Sequence, residues 1–125
     1  MPPLEALELA KQVALAGRTD EAIALLVREV SQQTSGRARF QCRVQLVQIC
    51  MAAGLKAIAY PILEGLAEEI DRRRLEEWEP PGVLAHTLGL WFRCASEIEQ
   101  DPEFKQKLYA RICRLDPVQA LALAR

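Results

Sequence analysis

The sequence predicts an all-α protein of about seven helices arranged as stacked antiparallel hairpins, and three observations carry that expectation. Half of the 125 residues are hydrophobic but only 6% are aromatic, and Ala and Leu outnumber the β-branched residues that strands favour. Apolar residues recur at three- and four-residue steps, as in Leu84, Leu88, Trp91, Ala95 and Ile98, or Phe104, Leu108, Ile112 and Leu115. Glycines and prolines punctuate these runs at regular intervals. No stretch sustains the alternation of a strand.

Each element follows from its ends. Pro3 suits the first turn of a helix, which Gly17 closes. A second helix is capped by Thr19 or Asp20 and runs to about Gln33. Thr34-Ser35-Gly36 reads as a turn. A third helix occupies about 37–53 and is closed by Gly54, and a fourth occupies about 55–74. Pro61 falls inside this fourth pattern. Flanking Ala57, Ile58, Ile62, Leu63, Leu66 and Ile70 favour one bent helix over two. Trp78-Glu79-Pro80-Pro81-Gly82 breaks the chain. A fifth helix is expected over about 83–99. Asp101-Pro102 caps a sixth that ends at Asp116-Pro117, and a short seventh covers 118–124.

The helices pair. Ala14-Leu15-Ala16-Gly17 and Met51-Ala52-Ala53-Gly54 each end a helix in Ala-Gly, followed by a short turn and a helix opening with small residues. Glycine allows the left-handed turn, and the small residues after it let two helices approach closely, so the units stack. The run 108–117, Leu-Tyr-Ala-Arg-Ile-Cys-Arg-Leu-Asp-Pro, resembles the end of a tetratricopeptide unit. The Trp and Tyr landmarks of a full tetratricopeptide array are missing, so the stack is tetratricopeptide-like.

Composition excludes several functions. Sixteen Lys and Arg balance seventeen Asp and Glu, which removes the electrostatic case for nucleic-acid binding. Cys42, Cys50, Cys94 and Cys113 form no CxxC pair. Cys42 and Cys50 lie roughly 12 Å apart along one helix, too far for a disulfide. Cysteines isolated in apolar runs fit burial in a reducing compartment. Residues 1–5 carry neither the basic nor the apolar region of a secretory leader, and no apolar run approaches the ~20 residues of a membrane span. A cytoplasmic location without membrane insertion is expected. His86 is the single histidine, with no Ser or carboxylate partner implied, and no metal-ligand spacing, phosphate loop or nucleophile elbow is present. No catalytic residue, metal or cofactor is therefore expected.

The densest chemistry lies in 68–79, where nine of twelve residues are charged. Helical spacing would pair Glu68 with Arg72, Glu69 with Arg73 and Asp71 with Arg74, each contributing about 0.2–0.5 kcal/mol. This charge reads as a solvated helix end. Trp78 among carboxylates, before a Pro-Pro turn, reads instead as a junction plug or an interface anchor, since Trp and Arg are enriched at binding hot spots. Arg74, Leu75, Glu77, Trp78, Glu79 and Pro80 are thus the candidate interface or structural residues. Arg37, Arg39 and Arg43 read as a solvated face. Leu4, Leu7, Leu9 and Val13 on the first helix, with Leu121 and Leu123 on the last, leave the ends of the stack apolar. Of these, Leu4, Leu7, Leu121 and Leu123 are the candidate self-association residues.

Composition and spacing reach no further than a helical-repeat domain. The strings 45–54 and 59–64, then Glu69-Ile70, Arg74-Leu75-Glu76-Glu77-Trp78-Glu79-Pro80 and the closing run 108–117, resemble the C-terminal, VasJ-type domain of TssA, a type VI secretion component of Gram-negative bacteria. The resemblance runs from about Ala6 onward, with 75–80 and 109–117 its specific parts. It implies one C-terminal oligomerisation domain over 1–125, without the ImpA-type N-terminal domain of the family. It also implies a non-enzymatic role in priming or capping the contractile tail at the baseplate. The implied partners are further copies in a ring of dihedral symmetry, together with tail sheath, inner tube and baseplate proteins. The rival reading is a monomeric helical-repeat adaptor that holds a peptide or partner helix in its groove.

Overall fold

Two glycine turns, three prolines placed directly after a cap and one left-handed arginine define the ends of most of the helices. The computed structural model describes the backbone of residues 3–98 and 101–124, and the side chains of 5–98 and 101–124. Seven α-helices fall among the described residues: α1 (Pro3–Leu15), α2 (Thr19–Gln32), α3 (Gly36–Ala52), α4 (Lys56–Arg72), α5 (Pro81–Glu97), α6 (Pro102–Leu115) and α7 (Pro117–Ala124). A 3₁₀ turn, Leu75–Glu77, lies between α4 and α5, and no strand occurs among the described residues.

The sequence echo at Gly17 and Gly54 is a structural echo. Both glycines have positive φ, 85° and 76°. In each turn the glycine N–H donates three residues back, to the carbonyls of Ala14 and Met51. The next N–H donates five back, from Arg18 to Val13 and from Leu55 to Cys50. This is the Schellman closure that satisfies the last carbonyls of a helix. Ser35 caps α3, its Oγ accepting from the Ala38 N–H at 3.0 Å. Asp101 and Asp116 cap α6 and α7 in the same way, each followed by proline at the first helical position. The second helix departs from expectation at its start. Its cap position is Arg18, which makes no side-chain cap bond, and Thr19 is already helical.

The chain divides into two compact units, residues 1–59 and 60–125. In the first, α1 packs on α2, α2 on α3 and α1 on α3. In the second, α5 packs on α6, α6 on α7 and α5 on α7, with the 3₁₀ turn against α5. Within each unit, these helices that are neighbours in sequence are neighbours in space, the pattern of helical hairpins. Pro61 is exposed and α4 runs through it as one helix; the missing N–H costs one backbone bond.

Interior choice is unusual at α1 and α7. Ala6 and Ala10 on α1 and Ala22 on α2 are fully buried. Small side chains let these two helices approach closely. The larger residues of α1 are then displaced: Leu7 and Val13 are half-buried, Leu9 is 40% exposed and Leu15 is 88% exposed. In α7, Ala120 is buried while Val118 and Leu121 are exposed. Cys42, Cys50 and Cys94 are fully buried free thiols, and Cys113 is half-buried. Burial pushes the Cys50 thiol up, and burial with the nearby Glu29 carboxylate does the same for Cys42.

Candidate functional site

The Trp78 turn is built by a helix that stops early. The charged pattern continues to Arg74, but α4 ends at Arg72 because Arg74 adopts the left-handed conformation, φ 51° and ψ 48°. The chain then folds into the 3₁₀ turn. Leu75 enters the interior at 4% exposure, and the Trp78 and Glu79 N–H groups both donate to its carbonyl, at 3.2 and 2.8 Å. Glu79 is buried and Pro80 exposed. The Trp78 indole stays outside at 57% exposure, its Nε1–H donating to the Arg73 carbonyl at 3.3 Å. Its polar atom is thus satisfied and its apolar face held toward solvent.

The expected ion-pair ladder is only partly formed. Arg73 does meet Glu69, at 3.4 Å. Asp71 does not meet Arg74, because the left-handed residue destroys helical spacing; Arg74 approaches Glu77 instead, at 3.8 Å, with both side chains well exposed. Asp71 and Glu76 converge on Arg111 of α6, at 2.7 and 2.9 Å. The two carboxylates hold the Arg111 guanidinium above its ordinary range against the opposing effect of burial. Arg111 therefore ties the Trp78 turn to α6. Sequence reasoning missed it because its partners lie 35 and 40 residues away.

The self-association residues separate. The Leu4 side chain lies outside the described residues. Leu7 is half-buried and Leu121 exposed. Leu123 is half-buried and packs near the α5 backbone, 3.5 Å from where a Cβ on Gly89 would sit. Leu15 and Val118, the two most exposed large hydrophobics among the described residues, were not singled out by spacing. Beside Leu15, a cavity of about 350 Å³ is lined by Lys11, Ala14, Thr19, Ile49, Ala52 and Ala53.

The arginines of α3 are not simply a solvated face. Arg39 donates to the Gln33 carbonyl at 3.2 Å and ties the α2–α3 turn, and Arg37 and Arg43 also have partners within the fold. His86 lies near Leu90, Arg93 and Gln119. Partial burial, then the Arg93 charge, hold it below the usual histidine range. The closing run 109–117 makes a corner. Tyr109 donates to the Ala120 carbonyl at 2.8 Å, and Gln119 Nε2 donates to the Gly82 carbonyl at 2.8 Å. Among the described residues, no group of three or more His, Cys, Asp or Glu could hold a metal ion, and no helix is long and apolar enough to cross a membrane.

Each unit packs its helices on one another and leaves large apolar side chains outward, Leu15 in the first and Trp78, Val118 and Leu121 in the second. Residues 4–88 match the family described as "Type VI secretion, EvfE, EvfF, ImpA, BimE, VC_A0119, VasJ". The chain belongs to this family, as a type VI secretion domain of the TssA C-terminal type. The match takes in α1–α4, the Trp78 turn and the opening of α5, and ends before the run 109–117. The family is one of structural and assembly domains. No curated protein and no solved structure matches the chain significantly.

Proposed function

We propose that residues 1–125 form one oligomerisation domain of a TssA-like protein. Copies close into a ring, with dihedral symmetry, that helps prime or cap assembly of the type VI tail tube and sheath at the baseplate. On this reading the domain works in the cytoplasm, its partners are further copies and the sheath, inner tube and baseplate proteins, and it performs no catalysis. The supporting observation is that α1 buries Ala6 and Ala10 and α7 buries Ala120, while Leu15 and Val118 stand outward at 88% and 77% exposure. Covering one such side chain contributes about 1.5–3 kcal/mol, and a ring repeats that contact once per subunit. Repetition also makes a weak contact to each tail subunit strong in sum.

The test is to change Leu15→Glu and Leu121→Glu separately and measure particle mass by sedimentation velocity, with far-UV circular dichroism as the fold control. A smaller particle of unchanged helicity is the expected result. Native-size particles from both variants would overturn the assignment of these faces. The adaptor reading predicts a monomer before and after each change.

A further inference from the structure

We infer that the groove between α4, α5 and α6 receives an arginine-bearing segment of a partner protein. This surface is separate from the outward leucines, and the inference does not rest on self-assembly. The groove has a volume of about 310 Å³, small for a ligand pocket and suited to one or two side chains. Its floor is aromatic: Phe104 stands edge-on to Trp91 with ring centroids 4.9 Å apart. Glu64, Glu68 and Asp71 of α4 line one wall, and Lys107 and Arg111 of α6 line the other.

The charges on these walls are unequally satisfied. Lys107 pairs with Glu103 at 3.2 Å. Arg111 is held by both Asp71 and Glu76, which also occupies Asp71. Glu64 and Glu68 have no hydrogen-bond or ion-pair partner among the described residues. They stand one helical turn apart, where like charges repel. Two unneutralised carboxylates therefore sit on the lip of an aromatic floor.

That combination selects a guanidinium. An arginine can stack its planar head on the Trp91 ring and direct its N–H groups at a carboxylate. An anionic ligand meets repulsion from the same lip, and a purely apolar side chain leaves both carboxylates without compensation. Ala67 and Leu108 also line the groove and suit an apolar residue next to the arginine. The occupant is thus a basic, partly apolar protein segment, not a nucleic acid or an acidic peptide.

The probe is an acetylated, amidated peptide, Ala-Leu-Arg-Ala-Leu-Ala, carrying a neutral fluorophore and titrated by anisotropy with the full chain. An otherwise identical peptide with citrulline for arginine keeps the shape and removes the charge. Saturable binding of the arginine peptide is expected, with at least a tenfold loss for citrulline. The double change Glu64→Gln and Glu68→Gln, with circular dichroism unchanged, weakens binding by about three- to tenfold, and added salt weakens it further. Equal binding of the two peptides, or binding indifferent to the double change, overturns the inference. Absence of saturable binding at millimolar peptide also overturns it, as does an effect of the double change on particle mass alone, which would make another copy of the chain the occupant.

Discussion

Truncating Trp78 to alanine separates what the indole does for the fold from what it does for assembly. At 57% exposure, the fold covers about 100 Å² of the roughly 250 Å² an indole can bury. At about 25 cal/mol per Å² that contributes about 2.5 kcal/mol, an upper bound because the unfolded chain is partly collapsed. The exposed bond from Nε1 to the Arg73 carbonyl adds about 0.5 kcal/mol. The outward face is of similar size. Covered by a neighbouring copy, it contributes about 3 kcal/mol, or roughly a hundredfold in the association constant. Trp78→Ala should therefore leave a folded helical protein, less stable by about 2–3 kcal/mol, whose assemblies dissociate at roughly a hundredfold higher concentration. Urea unfolding reads the first quantity and a dilution series by sedimentation the second. Unchanged dissociation with intact helicity refutes the anchoring role, and loss of helicity makes Trp78 a plug of the turn.

Three further outcomes follow from the same region and from α5. Leu75→Ala removes the buried side chain that fixes the 3₁₀ turn and should cost about 2–5 kcal/mol in urea unfolding. Arg74 holds a left-handed conformation and offers only an exposed ion pair. Arg74→Gly should change stability by less than about 1 kcal/mol, whereas Arg74→Val should lower it by about 1–2 kcal/mol; equal melting of the two would remove the conformational argument. His86 has a pKa below its ordinary value through partial burial and Arg93, so the unfolded chain takes up its proton first. Its contribution is intact above about pH 6.5 and is lost as pH falls from there through the folded value. A His86→Gln variant should show a flatter stability profile in that window.

Local signals made most of the fold legible. The Ala-Gly turns at 17 and 54 and the Asp-Pro start of α6 are each contained within a few residues, so spacing alone predicts them, whereas Ser35 and Asp116, read only as a turn residue and a helix end, prove to cap α3 and α7. The end of α4 was not legible, because a left-handed arginine has no sequence signature and the charged pattern runs past it. The inward face of α1 was not legible either. Periodicity scores Ala and Leu alike as apolar, yet close approach to α2 selects Ala6 and Ala10 and leaves Leu9 and Leu15 outside. The Trp78 string marked a turn correctly, but its exposure and its tether through Arg111 depend on contacts between residues 35 and 40 apart. Likewise, Glu64 and Glu68 read as ordinary helix-surface charge until α5 and α6 supply the aromatic floor beside them.

The most direct test of the central claim, that the outward leucines of this domain join copies of itself, is its absolute mass in solution by light scattering across a wide concentration range. The account predicts one species at a fixed multiple of 14.0 kDa that persists on dilution until a cooperative dissociation. A particle of 14.0 kDa at every concentration would contradict it.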